Sequence, residues 1–400
     1  MAIYRYRGRN RNGVLVNGKL KSDSEKQARE KLREKNINVV DLKHLDSWLY
    51  KDVTLFQRVK TKDFLIFLRQ FSTLLHAGLS LVESIEILAE QTSNKLLAEG
   101  LKATAEDIRK GATFSEAAEK QRHVFPSLFT NMIKAGEAGG NIEEILDRLA
   151  LYYEKQHQTK QKVISAVSYP AVVGFVAAGV VMFLLAFVVP MFADMFAGFG
   201  GELPWLTAMV LAAGEWMQRS GWILIVFAAV AALAVVLMSR DKKYKYYLDY
   251  ALLKLPIFGS LLQKAAIARM SRTLASLFSS SVPVLHATSI VERVVGNEVL
   301  AKVIRDSRQA LEKGESMAEP MEKHWIFPPL VTQMVVVGEK TGALDSMLSK
   351  VADFYEAEVD QATERLKTAI EPILIVSLAV VVGVIVAAIA IPMFEIFDTI

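Results

Sequence analysis

Three stretches of this chain, Ala171–Val189, Trp222–Met238 and Ile373–Ile391, contain no Asp, Glu, Lys, Arg or His. They are 19, 17 and 19 residues long. At about 1.5 Å per helical residue each spans roughly 25–28 Å, close to the hydrocarbon thickness of a bilayer. A helix in a soluble core rarely stays uncharged on every face over such a length, so the runs predict three transmembrane helices. Composition agrees. Of 400 residues 52% are hydrophobic and 22% charged, which favours a membrane protein with sizeable water-exposed parts and excludes a disordered chain.

The flanking charges orient the spans. Lys155, Lys160 and Lys162 precede the first, Arg240, Lys242, Lys243 and Lys245 follow the second, and Arg365 and Lys367 precede the third. The interval 190–221 holds one base, Arg219, and the end of the chain carries Glu395 and Asp398 with none. The positive-inside rule then predicts that 1–170 and 239–372 are cytoplasmic, with 190–221 a periplasmic loop and 392–400 a periplasmic tail. Trp205, Trp216 and Trp222 suit an interfacial belt on the outer side.

The two segments predicted to be cytoplasmic are copies of one another. LRQFSTLLHAGLSLVESIEIL matches SRTLASLFSSSVPVLHATSIV at an offset of 203, with Arg69 opposite Arg272. Gly111 and Gly314 keep that offset, as do Thr113–Glu116 and Ser316–Glu319. After one lost residue the offset is 202. Phe125-Pro126 then matches Phe327-Pro328, and Gly136-Glu137-x-x-Gly140 matches Gly338-Glu339-x-x-Gly342. Tyr153-Glu154 matches Tyr355-Glu356, Pro170 matches Pro372, and Pro190-Met191-Phe192 matches Pro392-Met393-Phe394. An ordered series of this length outranks local propensity.

Each copy reads as a helical bundle. Apolar residues recur three and four apart in Phe64–Leu75 and Leu81–Leu88. Thr113/Glu116 and Ser316/Glu319 have the spacing of capping boxes, and Asn141 with Glu144 reads as a third cap. Gly111 and Gly314 suit left-handed turns at helix C-termini. No breaker follows Asn141 until Pro170, so the last helix of each bundle is expected to continue into a span, with Pro170 and Pro372 kinking it at entry. The fold expected is mainly α: bundle copies at 62–170 and 239–372, spans at 171–189, 222–238 and 373–391. Residues 46–61 read as a linker.

Residues 1–45 differ. IYRYRGRNRNGVLVNGKL alternates around Asn12-Gly13, a hairpin signal; Ser24–Lys35 is helical by composition, and Asn38–Leu42 suits a third strand. This is a small basic α+β appendage, for residues 1–60 carry 15 Lys/Arg against 7 Asp/Glu. No apolar core follows the opening arginines, so it does not read as a cleavable signal peptide. Arg5, Arg7, Arg9 and Arg11 fall on one face of a strand. With no aromatic stacking platform beside them, they favour a solvated face or a lipid contact over nucleic acid.

Signs of catalysis are missing. The chain has no cysteine, which removes disulfides, Cys-ligated zinc, Fe–S clusters and thiol chemistry. Its six histidines include no HExxH pair, and no GxSxG occurs. Gly338-Glu-Lys-Thr341 is not a phosphate loop, because Glu339 separates the glycine from Lys340 and no glycine lies five residues earlier. No cofactor is implied. The glycines of the two matched motifs read as turns between helices. Glu137 and Glu339, retained by both copies, stand out either as helix-cap residues or as contacts to a partner. A transporter or channel subunit is the rival reading. Three spans are few for a monomeric pore, and spans without an ionisable residue argue against ion coupling. Gly174/Ala178 and Gly383/Ala387 are small-residue pairs that permit close helix packing.

The chain resembles the GspF/PilC family of inner-membrane platform proteins of type II secretion and type IV pilus systems. The resemblance covers 62–400 and rests on LRQFSTLLHAGLSL, on the paired FP…GE..G blocks, on YEK and YEA, on YPAVVGF and EPILIVS, and on Val189-Pro-Met-Phe and Ile391-Pro-Met-Phe. The N-terminal YRYRGRNRNG…GKL is similar to the family's N-terminal extension. The second copy departs where Ser281 stands opposite Gly78 and Thr341 opposite Gly139. The loop VPMFADMFAGFGGELPWLT resembles the mannose-sensitive haemagglutinin pilus branch, the MshG-like proteins. The resemblance implies a non-enzymatic protein at the centre of an inner-membrane assembly complex, acting as a homo-oligomer. Its cytoplasmic bundles would contact a hexameric secretion ATPase. They would couple its motion to extraction of pilin or pseudopilin subunits from the bilayer, beside other inner-membrane assembly proteins. The motif positions Gly136, Glu137, Gly140, Gly338, Glu339 and Gly342, and the membrane-entry and membrane-exit prolines Pro170, Pro190, Pro372 and Pro392, are the candidate functional residues.

Overall fold

The computed structural model describes residues 2–9, 15–22, 25–34, 38–45, 59–197, 204–239, 241–256 and 258–399. It divides into two units, Met1–Val59 and Lys60–Ile400. In the first, strands β1 (Ala2–Arg9), β2 (Leu15–Ser22) and β3 (Asn38–Leu45) form an antiparallel sheet in the order β2-β1-β3, with helix α1 (Glu25–Glu34) between β2 and β3 in sequence. Arg9 pairs with Leu15 in register across β1 and β2. The pairing of β1 with β3 shifts register between Arg7 and Gly8. The Asn12-Gly13 turn and most of the expected linker lie outside the described residues.

The second unit is helical and repeats itself. The first copy is α2 (Thr61–His76), α3 (Leu81–Gln91), α4 (Lys95–Arg109), α5 (Phe114–Lys120), α6 (Ser127–Gly139) and α7 (Ile142–Phe183). A π-helical turn, Leu184–Val188, joins α7 to α8 (Val189–Ala197), and α9 (Trp205–Met238) follows. Helix α10 (Lys242–Lys254) precedes the second copy, which is α11 (Phe258–Ser279), α12 (Val284–Val294), α13 (Glu298–Glu312), α14 (Ala318–Glu322), α15 (Pro329–Thr341) and α16 (Leu344–Thr399). The six helices of each copy thus come in one order, as the matched blocks predict.

The two cores use the same positions and different chemistry. In the first copy Phe64, Phe67, Phe71, Phe114, Phe125 and Phe129 are buried against one another in edge-on, stacked and tilted pairs. Their counterparts Ile267, Met270, Leu274, Met317 and Val331 are equally buried, and of the six only Phe327 remains aromatic. Period and burial have been kept while five of the six rings gave way to smaller aliphatic or thioether side chains.

Local chemistry sets the helix boundaries. Asn94 accepts the Leu97 amide at 3.2 Å, and its counterpart Asn297 accepts those of Val299 and Leu300 at 3.0 and 3.2 Å. Gly111 and Gly314 have φ of 94° and 82°, the left-handed conformation expected of them. Thr113 and Glu116 form the expected capping box. Two other expected caps are not made. Ser316 accepts the Ala318 amide at 3.1 Å, but the Glu319 side chain turns to Lys323 at 2.6 Å. Lys323, four residues on, takes the Glu319 carboxylate, and α14 is only five residues long. Asn141 makes no side-chain cap and donates to Glu144 at 3.2 Å.

Three helical runs, Ile142–Met195, Trp205–Met238 and Leu344–Ile391, are long and apolar enough to cross a membrane. Helix α7 passes through Pro170, and α16 through Pro372 and Pro392, without ending. The interval 190–221, expected as a loop, is helical over 190–197 and 205–221, and the expected tail is helical to Thr399. Pro190 follows the π-helical turn, where the regular hydrogen-bond ladder is already broken, and Pro392 is carried inside α16. The runs meet in an apolar cluster of Leu185, Val189, Val210, Ile385 and Ala388. Thr207 donates to the Ala388 carbonyl at 2.6 Å, and Gln218 to that of Ala186 within the π-helical turn at 2.9 Å. At Gly214 a Cβ would lie 2.6 Å from the Leu185 carbonyl oxygen, so only glycine admits this crossing.

Candidate functional site

The glycines and glutamates that define the two G-E-x-x-G motifs each have an assignable role in packing or capping. Gly136 and Gly338 are buried inside α6 and α15, where the following long helix crosses close by. A Cβ on Gly136 would come 2.8 Å from Ile145 Cγ1, and one on Gly338 2.9 Å from Leu344 Cδ2 and 3.0 Å from its Cα. Gly140 and Gly342, with φ of 70° and 69°, end these helices in the left-handed conformation. The next residues, Asn141 and Ala343, return their amides to the Gly136 and Gly338 carbonyls, both at 3.0 Å. The chain thereby reverses from α6 into α7, and from α15 into α16, in two residues.

Glu137 and Glu339 do not lie in that turn. They sit half-buried in the last turns of α6 and α15 and reach across to the preceding short helix. Glu137 Oε1 accepts the Phe114 amide at 2.5 Å, its carboxylate accepts the Ser115 amide at 3.2 Å, and the Ser115 hydroxyl donates to it. Glu339 accepts the Met317 amide at 2.8 Å and the Ser316 hydroxyl. Each carboxylate thus neutralises orphan amides at the positive end of a neighbouring helix. Beside Glu339, Lys340 is exposed.

A second arrangement occurs in both copies. Arg69 on α2 pairs with Glu154 on α7, and Arg272 on α11 with Glu356 on α16, the latter at 2.9 Å. The four residues are matched by the duplication. Retention of both partners was the available signal, which becomes a contact only once the first and last helices of a bundle are known to be adjacent. Arg272 also reaches Asp353 at 2.5 Å. Burial pulls its guanidinium's pKa down, but hydrogen bonds to Glu356 and Asp353 outweigh it and the net direction is up. In the first copy alone, Ser72 donates to Asp147, and the His76 imidazole lies 2.9 Å from the Ser72 carbonyl and 3.5 Å from Asp147. The second copy has Ala275, Ser279 and Ser349 there.

Contacts across the copies run along α7 and α16. Tyr152 and Thr273 share a buried hydrogen bond at 3.1 Å. Lys155 meets Glu356 at 3.5 Å and Lys162 meets Asp360 at 2.5 Å. Below them Ala166, Leu261, Ala265, Val359 and Leu366 form one apolar cluster. His286 on α12 bonds Asn131 on α6 at 2.6 Å. Of the four prolines, Pro170, Pro372 and Pro392 lie within the long helices and Pro190 just after the π-helical turn.

The repeated bundle is a recognised domain. The family model for type II secretion system protein F matches twice, over residues 67–190 and 270–392, and the model for its N-terminal domain matches residues 1–43. The chain belongs to the type II secretion system protein F family. Members of this family include the type IV pilus assembly protein PilC of Thermus thermophilus, 38% identical over 403 residues, covering all of this chain and 99% of that protein. PilC of Myxococcus xanthus is 36% identical over 401 residues, covering 98% and 95% of the two chains. The type II secretion system protein F of Xanthomonas campestris is 32% identical over the whole of both chains. Like these protein F and PilC relatives, the chain is a multi-pass membrane platform protein and not an enzyme. Within each bundle the retained Gly136 or Gly338 packs against the following helix and the retained glutamate accepts amides of the preceding one.

Proposed function

We propose that this platform protein transmits the motion of a cytoplasmic hexameric ATPase to pilin or pseudopilin subunits at the inner membrane. The observation that carries this reading is continuity. The last helix of each bundle, α7 or α16, is also the helix that enters an apolar span, with no loop between. A rotation or tilt applied to either bundle therefore reaches the bilayer through a single rigid element.

The bundles and the N-terminal unit face the cytoplasm, and the 198–203 segment and the C-terminus face the periplasm. The lysine and arginine bias at the span ends supports this orientation. The protein works as a homo-oligomer beside other inner-membrane assembly proteins. In support, a Cβ at Gly174, Gly179 or Gly383 would meet nothing within 4 Å, so these small residues leave span surface open to another helix. Within the family, the VPMFADMFAGFGGELPWLT segment favours the mannose-sensitive haemagglutinin pilus branch.

The test is an insertion of four glycines between Thr368 and Ala369, which separates the second bundle from its span. A deletion strain carrying this variant should contain membrane-inserted protein and assemble no filament. Filaments at the wild-type number would show that motion does not travel along α16.

A further inference from the structure

We propose that α10 is an interfacial helix whose outward face binds the anionic phospholipid headgroups of the bilayer that α9 crosses. Helix α9 ends at Met238 and α10 begins at Lys242. At no more than about 3.6 Å per residue, the start of α10 stays within roughly 15 Å of the end of the span. The membrane surface is thus within reach of this helix whichever leaflet it faces.

One side of α10 is committed to the bundle. Asp249 and Leu253 are buried, and Asp249 accepts the Glu298 amide at the N-terminus of α13 at 2.7 Å. Lys245 approaches Glu298 at 3.8 Å. The opposite side carries Tyr244, Tyr247 and Tyr250, all exposed, Tyr247 to 62%. Lys243, beside Tyr244, and Lys242, in the first turn seven residues before Asp249, are exposed, and neither ammonium group has a partner among the described residues. The face continues onto the loop before α15, where Lys254 lies 4.1 Å over the Trp325 ring and Tyr250 packs edge-on against it.

Two observations select an anionic lipid surface as the occupant. Tyrosine and tryptophan, with apolar rings and polar tips, settle at headgroup depth. Unpaired lysines beside them supply attraction to negative headgroups within a Debye length of the surface. Asp241 is the one acid at this end, and its side chain is engaged by the Lys243 amide at 2.9 Å.

The chain has no cysteine, so Tyr247→Cys introduces the sole thiol for a nitroxide label in the full-length protein. The labelled chain is placed in nanodiscs of phosphatidylcholine alone or with added phosphatidylglycerol, and its collision with oxygen is compared with that of a water-soluble nickel chelate. The ratio of oxygen to nickel accessibility should rise when phosphatidylglycerol is present. In a Lys242→Gln/Lys243→Gln background that rise should be lost while the melting temperature holds. Equal nickel access in both lipids would overturn the proposal, as would a rise that survives loss of both lysines. Shielding from both reagents, with spin broadening relieved by unlabelled chain, would instead mean that a second copy covers the face. Should Tyr247→Cys fail to fold, the label at Tyr244→Cys reads the same surface.

Discussion

The carboxylate of Glu137 closes the N-terminus of the helix that begins at Phe114, with Oε1 2.5 Å from the Phe114 amide nitrogen. Glu339 repeats the contact at Met317 at 2.8 Å. Charge-assisted hydrogen bonds of this kind contribute about 1.5–3 kcal/mol each. Glu137→Ala and Glu339→Ala should each lower stability in that range by denaturant titration, and the Gln variants, which keep an acceptor, by less. Reversal to lysine puts a cation at the positive end of a helix and should lower the melting temperature further. Lost filament assembly at an unchanged melting temperature would reassign the residue to a partner surface.

The motif glycines and Ser281, which stands where the first copy has Gly78, should behave oppositely. Gly136→Ala and Gly338→Ala push a methyl into Ile145 and Leu344, and overpacking of this kind costs about 1–3 kcal/mol. Ser281 holds φ at 59°, where its counterpart Gly78 has 84°. Ser281→Gly should therefore stabilise the protein by about 1 kcal/mol, the strain of a left-handed residue bearing a Cβ. A destabilised S281G would show that the serine hydroxyl contributes more than the backbone strain removes.

The two matched ion pairs should differ in strength because their solvation differs. The Arg272 and Glu356 side chains are 12% and 15% exposed, against 51% and 34% for Arg69 and Glu154. Arg272→Met leaves the buried Glu356 carboxylate with Lys155 alone, at 3.5 Å, and should cost about 3 kcal/mol, the low end for breaking a buried pair. Arg69→Met breaks a pair in contact with water and should cost no more than about 1 kcal/mol. Unfolding free energies in the reverse order would contradict this assignment.

A pH dependence belongs to the first copy. The His76 imidazole is held above its ordinary value of 6.5 by the Ser72 carbonyl first and then by Asp147, with Glu143 adding and burial opposing. Protonation is therefore linked to folding. The contribution is full below pH 6.5 and lost as pH rises through the folded-state value. The melting-temperature advantage of wild type over His76→Gln should be larger at about pH 6 than at about pH 8. A difference that does not change with pH would remove His76 from the linkage.

The duplication, the helix order and the three spans were legible because they rest on period, uncharged length and matched blocks. The Thr113–Glu116 box was legible for the same reason: it is local. The Ser316–Glu319 spacing misleads because Lys323, four residues on, takes the Glu319 carboxylate, whereas its counterpart Lys120 pairs with Asp107. The location of Glu137 was missed because the G-E-x-x-G spacing suggests a turn, while only Gly140 leaves the helix. The ion pair Arg69–Glu154 spans 85 residues, a distance at which sequence spacing says nothing until the packing of α2 on α7 is known. Helix α10 has no counterpart in the matched blocks, so no repeat argument reached it.

Orientation can be checked independently. A reporter fused after Gly198, outside the described residues, should behave as periplasmic, and one after Gly314 as cytoplasmic. A cytoplasmic signal at Gly198 would invert the topology.

The most direct measurement is nucleotide hydrolysis by the ATPase encoded with the same system, with and without the full-length chain in nanodiscs. A coupling platform predicts no hydrolysis above background from the chain alone, co-sedimentation of the two proteins, and a changed rate for the ATPase when the chain is present. Hydrolysis that follows the chain alone through purification would contradict it. So would an ATPase that neither co-sediments nor changes its rate in any nucleotide state.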